Sequence, residues 1–320
     1  MNMTKTMLVL VGAAFLGAGT LSATEPFTLD NVQQLIPWNS KVLVAYTVNT
    51  PYEPGVEGVL TLNFATKSRL VRVILSGADA AEGSHRYFFD GSADFSNVTN
   101  ETITVTACLE SFPKAVRLWE GGPYWATRNV GAATPYERGY YFSWGDTNGY
   151  RQVGKSWVSV DGSKTNHFDA AHCPTSNKPL TELVDEGFVD ASTTNLVAQH
   201  DAATVHFGPG WRMPTRQELD LLGTLTKDYF STNGVSFMRL HGSGSYSDKC
   251  IILDDHAGYI DSNDAYNDYG GCQCWSATGW HINDAKCDYA YKFDKYSSGG
   301  AYHPREYGLV VRPVRDTPIE

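Results

Sequence analysis

Between Lys41 and Leu109 the chain repeats one device, in which branched and aromatic residues alternate with polar ones until a turn cluster interrupts them. KVLVAYTVN (Lys41–Asn49), GVLTLNFAT (Gly58–Thr66), RLVRVILSG (Arg69–Gly77) and ETITVTACL (Glu101–Leu109) all carry it. Period two sends successive side chains to opposite faces, so each run has one side to bury and one to wet. NTPYEPG and SGADAAEGS supply the reversals between runs. Short strands spaced this way predict a small β-sandwich over 24–110. DGSADFS (Asp90–Ser96) reads as a loop and ESFPKA (Glu110–Ala115) as the junction to the second half of the chain. No catalytic arrangement is legible in the first half, which reads as an accessory module.

The segment ahead of it has a different purpose. MNMTKTMLVLVGAAFLGAGTLSA holds one lysine (Lys5), an apolar run from Met7 to Leu16, and small residues ending in Leu-Ser-Ala. That is the pattern of a secretory leader over 1–23, cleaved after Ala23. The run is short for a bilayer span, and no cysteine near the cleavage point offers a lipid anchor. Losing Lys5 takes the formal charge from −10 to −11 (−10 minus one positive charge). Such acidity argues against nucleic acid as a partner. No later segment is long and apolar enough to enter a membrane, so a secreted, periplasmic or cell-surface protein is expected.

Export gives the six cysteines a meaning: Cys108, Cys173, Cys250, Cys272, Cys274 and Cys287. An even number in an oxidising compartment favours disulfides, with about 15 connectivities open to six thiols. Cys272 and Cys274 are too close in sequence to bridge each other comfortably. Cys274 and Cys287 flank an expected hairpin, and one bond is expected there. Zinc is the rival reading, but C-x-x-C and ordered His/Cys spacing are absent.

From Ser111 onward the pattern turns irregular, with clustered aromatics and one well-marked helix. In GPGWRMPTRQELDLL (Gly208–Leu222), Thr215 and Glu218 form a capping box, each side chain satisfying a backbone N–H of the other's segment. Leu219 and Leu222 then share a face, and the helix is expected from Arg216 to about Leu225. Arginines at a helix start can hold an anion. Here a threonine already occupies that start, so Arg212 and Arg216 are expected to be scaffold, with Arg212 bonding carbonyls or an acidic neighbour beneath Trp211.

A resemblance joins these pieces. YWATRNVGAATPYERGYYFSWGDTNGY (Tyr124–Tyr150), DAATVHFGPGWRMPTRQELDLL (Asp201–Leu222), CWSATG (Cys274–Gly279) and YGLVVRPVRD (Tyr307–Asp316) occur in that order. Together they resemble the major paralogous domain family first named from Fibrobacter succinogenes, whose members are exported bacterial proteins. The resemblance covers most of Leu118–Asp316. IILDDHAGYI (Ile251–Ile260) departs from it by placing Asp254 where the family has proline, and Arg151–Gln199 matches nothing in it. It implies a C-type-lectin-like fold over 111–320, giving a mainly β chain with an α+β C-terminal domain. Trp125, Trp144, Trp211 and Trp275 would then be structural, with Thr215 and Glu218 at the helix start. Alternation in YAYKFD (Tyr289–Asp294) and GLVVRPVR (Gly308–Arg315) reads as paired closing strands. A fold of this kind carries no activity of its own.

The residues show none of the usual catalytic patterns. G-x-S-x-G, H-E-x-x-H, the P-loop and a G-x-G-x-x-G following a strand are all absent, and the nine histidines make no i,i+3 or i,i+4 pair. A non-enzyme is expected, with no obligatory cofactor. Calcium is the one ion the sequence leaves room for. DDHAGYIDSNDAYNDYG (Asp254–Gly270) offers Asp255, Asp261, Asp264 and Asp268, although Tyr266 stands where an EF-hand loop needs glycine. The alternative is a solvated loop of Asx turns.

The richest surface is GWHINDAKCDYAYKFDKYSSGGAYHPREYG (Gly279–Gly308). Rigid aromatics beside small polar residues are the composition of binding loops. Trp280, His281, Asn283, Asp284, Tyr296, Tyr302, His303 and Arg305 are the expected ligand contacts. Tyr289 and Tyr291 divide evenly between core and surface. The expected function is non-catalytic binding or adhesion, with an extracellular glycan or protein as partner. Two alternatives stand beside it. One is a component of extracellular polysaccharide processing, for which Asp254 or Asp255 with Asp284 would be the carboxylates to measure. The other is a diversified ligand-binding protein of the diversity-generating-retroelement type.

Overall fold

The computed structural model describes residues 7–9, 27–35, 40–49, 51–95, 101–153, 156–160, 168–232, 234–268, 271–279, 287–296 and 298–319. Strands take 44% of the chain and helices 12%, which places it in the mainly β class. Two compact units divide it, Met1–Lys114 and Ala115–Ile319. Among the described residues no helix is long and apolar enough to cross a membrane.

In the first unit the strands are β1 (Met7–Val9), β2 (Phe27–Gln34), β3 (Lys41–Val48), β4 (Val56–Ala65), β5 (Leu70–Ser76), β6 (Gly83–Asp90) and β7 (Thr104–Pro113). They form two antiparallel sheets, ordered β1-β7-β4-β5 and β2-β3-β6. The alternation works as read. In β3, Val42, Val44, Tyr46 and Val48 are buried, and in β4, Leu60, Leu62 and Phe64 are. Both sheets send these residues into one apolar cluster, where Phe64 stacks on Phe89 at 3.9 Å. Each such aliphatic side chain removed from water contributes about 1.5–3 kcal/mol. Two strands, β2 and β6, lie outside the four runs, because FTLDNVQQ and GSHRYFFD carry too many polar residues for the alternation to show. β7 pairs with β4 out to Pro113, so the break between the units falls after Lys114, within the ESFPKA junction and four residues beyond the Glu110 bound of the module. Met7–Val9, inside the segment read as a leader, pairs with Ala107–Leu109 at the edge of β7.

The second unit opens with β8 (Ala115–Arg117), β9 (Tyr124–Ala126), β10 (Tyr141–Phe142), β11 (Tyr150–Val153) and β12 (Ser156–Ser159). Two short helices come next, α1 (Leu180–Asp185) and α2 (Ala202–Phe207), then β13 (Trp211–Arg212) and α3 (Arg216–Gly223). Beyond α3 run β14 (Lys227–Thr232), β15 (Val235–His241), β16 (Cys250–Asp254), β17 (Tyr259–Ile260) and β18 (Tyr266–Asn267). The chain closes with β19 (Cys272–Trp275), β20 (Cys287–Phe293), β21 (Gly299–Pro304), β22 (Leu309–Val310) and β23 (Val314–Arg315). A seven-stranded sheet ordered β12-β11-β10-β22-β19-β20-β21 is its centre.

That sheet is buried on both faces, and period two sorts its side chains between two clusters. Tyr141, Cys272, Cys274, Tyr289, Tyr291, Phe293 and Val310 enter one. Phe142, Trp275, Ala290, Leu309 and Val311 enter the other with Trp144. Trp125, Trp144 and Trp275 are fully buried and Trp211 is 9% exposed. Gly139 has φ 78°, and a Cβ there would stand 2.2 Å from the Val130 carbonyl oxygen, so only glycine fits this turn. The closing strands differ from expectation. β20 and β22 do not pair with each other, because β19 lies between them, antiparallel to β20 and parallel to β22.

Candidate functional site

At the helix start Thr215, Glu218 and Arg212 bond one another. Thr215 Oγ1 accepts from Glu218 N at 3.3 Å, and Glu218 Oε2 accepts from Thr215 N at 2.8 Å. Arg212 grips the same carboxylate in two-pronged fashion, at 2.8 and 2.7 Å, and reaches Asp316 Oδ1 at 2.6 Å. Its donors are therefore engaged by two carboxylates of its own unit, Glu218 in a bidentate pair. α3 ends at Gly223, two residues short of the expected Leu225.

The β20–β21 hairpin carries the expected ligand residues that lie within the described chain. Tyr289 pairs with Tyr302, and Asp288 with His303, so neighbours in β21 face opposite ways. On the side of α3, Tyr302 is 47% exposed and meets Tyr289 edge-on at 5.7 Å. Tyr289 and Tyr291 are buried there, resolving their even division toward core. At the hairpin turn Tyr296 is 88% exposed.

His303 lies on the other side, under partial cover. Its Nε2–H donates to Gln273 Oε1 at 2.5 Å, and its ring packs on Tyr259 at 4.7 Å and Tyr307 at 5.8 Å. Burial pushes its pKa down to about 4, so the ring stays neutral near pH 7. Arg305 corrects the sequence reading. It is fully buried, paired with Asp288, donates to the carbonyls of Thr175 (3.0 Å) and Lys178 (2.5 Å), and lies over the Trp144 ring. A guanidinium there must be paired to be tolerated. Arg305 thus clamps the unmatched 151–199 segment to the sheet and has no outward face to offer. Trp280, His281, Asn283 and Asp284 lie outside the described residues.

The acidic segment is bound up in local structure. Asp261 Oδ1 accepts from Asn263 N and Ala265 N at 2.9 and 3.2 Å, an Asx turn. Asp264 Oδ1 accepts from Phe168 N at 3.0 Å, and Asp268 pairs with His256 at 3.1 Å. Asp255 leans on Ser236 Oγ at 3.5 Å, and burial raises its pKa. Asp254, buried, takes Arg138 Nε at 2.7 Å. Among the described residues no three His, Cys, Asp or Glu gather as a metal-binding group.

The cysteine expectation is also corrected. No disulfide forms among the described residues. Cys274 lies opposite Tyr291, whereas Cys287 lies at the far end of β20 opposite Pro304, so the strand itself holds them apart. Cys274 instead faces Cys272, with sulfurs 3.6 Å apart in the core.

No protein-family model matches the chain, and neither a curated protein nor a solved structure matches it. Arg216, Asp220, Tyr259 and Gln273 surround the hairpin and are not among the contacts expected from sequence, whereas Tyr307 lies inside the Gly279–Gly308 segment singled out there. Only Arg216 and Asp220 carry a usable signal, since their i,i+4 spacing on a helix places them side by side.

Proposed function

We propose that the chain is an exported, non-catalytic binding protein that presents the tyrosines of its β20–β21 hairpin to an extracellular ligand. On this reading the leader is removed and the first unit is a β-sandwich accessory module. The second unit is a C-type-lectin-like body of the major paralogous domain kind. One observation carries the proposal. In a unit that hides its four block tryptophans to 9% exposure or less, Tyr296 and Tyr302 stay 88% and 47% exposed on one hairpin. Tyrosine offers large contact area at small entropic cost, which suits an exposed recognition surface. Ser297, Ser298, Gly299, Gly300 and Ala301 separate the two tyrosines along the chain, and all five are small. Of the two carboxylates offered for the glycosidase alternative beside Asp284, Asp254 is occupied by Arg138 and Asp255 leans on Ser236.

Display of the labelled full chain on arrays of glycans and of extracellular proteins tests this. At least one class should be retained, and Tyr296→Ala with Tyr302→Ala should abolish retention. Retention unchanged in that double variant refutes the hairpin as the site.

A further inference from the structure

The surface between α3 and β21 is built more specifically than a patch of exposed rings. Tyr289 stands at its centre. Its hydroxyl donates to Asp220 Oδ1, and the Arg216 guanidinium lies over its ring at 4.6 Å. Arg216 Nε in turn lies 3.6 Å from Asp220 Oδ2. Tyr302 meets the same ring edge-on, with an interplanar angle of 78°. Three side chains are thus braced through one buried phenol, yet all three reach solvent: Tyr302 at 47%, Asp220 at 45% and Arg216 at 29% exposure. Gly300 keeps Tyr289 where it is, since a Cβ at that position would come within 2.6 Å of its hydroxyl oxygen.

A carboxylate has about four acceptor sites and a guanidinium five donors, and here both groups keep part of their surface in solvent. The surface therefore combines an exposed aromatic ring, a fixed acceptor and a fixed donor. A pyranose unit has the matching parts: an apolar C–H face to lie on the ring and adjacent hydroxyls that both give and take hydrogen bonds. Asp220 and Arg216 cancel in charge, and the chain as a whole carries −10. A polyanionic glycan would meet this long-range repulsion at the subsite, although Lys295 lies over the Tyr296 ring at the hairpin turn.

We propose that Tyr302, Asp220 and Arg216 form a subsite for a neutral pyranose unit of an extracellular glycan. This deepens the preceding proposal and rests on its placing of the ligand at the hairpin.

Calorimetric titration of the full chain with cellohexaose, mannohexaose and xylohexaose, against a polygalacturonate oligomer, is the test. At least one neutral hexaose should bind and the acidic oligomer should not. Tyr302→Ala and Asp220→Asn should each weaken that binding about tenfold or more, the scale of a lost charge-assisted hydrogen bond. Asp220→Asn keeps an acceptor for Tyr289, so its melting temperature should match the parent. Binding of a neutral hexaose that ignores both substitutions overturns the subsite, as does binding of the acidic oligomer alone. If no neutral hexaose binds while the arrays retain a protein through Tyr296 and Tyr302, the subsite is wrong and the hairpin surface stands. If the arrays are also empty, both are wrong.

Discussion

The two units solve the same problem of burying a β core in opposite ways. In the first, long strands carry their own instructions: β3 alternates buried and half-buried residues from end to end, and its register with β6 runs unbroken from Lys41 to Val48. In the second, several strands are only two residues long, and long-range clamps hold the loops between them. Trp144 Nε1 donates to the Ser276 carbonyl at 2.8 Å, and Trp275 Nε1 to the Phe142 carbonyl at 2.7 Å. Arg312, also buried, gathers Asn129 Oδ1, the Ala126 carbonyl and the Ile252 carbonyl within 3.0 Å. A regular sheet spreads its stability over many small equal contributions. A loop-rich body concentrates it in a few large side chains.

The largest expected effects test that concentration. Trp275→Ala should destabilise the second unit by about 3–5 kcal/mol, the range for truncating a buried aromatic. Hydrogen exchange should show protection lost across Ala115–Ile319 and kept in Lys41–Val48. Uniform loss across both units would break the comparison. Arg305→Met should cost about 3–5 kcal/mol by stranding Asp288, and adding Asp288→Leu should recover most of it in chemical denaturation. No recovery would mean that the backbone contacts of Arg305, and not its charge pairing, hold the segment.

A smaller effect depends on pH. His303 has a folded pKa of about 4 against an ordinary value of 6.5. Between these values the unfolded chain binds the proton and the folded chain does not. Stability is therefore complete above pH 6.5 and falls as pH drops toward 4, by roughly 3 kcal/mol at most, then levels. His303→Phe should flatten that part of the stability profile, and an unchanged slope would assign it to other groups. Thr215→Ala should remove about 1 kcal/mol through the lost cap. Tyr296→Ala, at the exposed turn, should shift stability by under about 0.5 kcal/mol.

Legibility in the sequence divides along the same line. The period-two runs mark β3 and β5 to within a residue and β4 to within two, because alternation needs only local sequence, whereas β7 runs on past its Glu101–Leu109 run to Pro113. The capping box places the start of α3 for the same reason. Cys274–Cys287 and Arg305 escape a sequence reading because each depends on strand order. Flanking a hairpin brings two cysteines near in sequence, but Cys274 lies in β19 opposite Tyr291 while Cys287 opens β20, and nothing local in HPREYG marks Arg305 as reaching inward to Asp288. The opposed faces of Tyr302 and His303 are hidden because the Gly299–Gly300 start of β21 suppresses the strand signal. Asp220 and Arg216 are visible as a helical pair, but their brace through Tyr289 requires knowing that α3 lies on β20.

The most direct test pairs affinity and melting temperature on a single preparation of the Tyr296→Ala, Tyr302→Ala variant, using whichever ligand the parent chain retains. The account predicts affinity lowered at least about tenfold, the loss of roughly 1.4 kcal/mol or more, with a melting temperature equal to the parent's. Parental affinity at an unchanged melting temperature would contradict it, because the hairpin would then be surface without function.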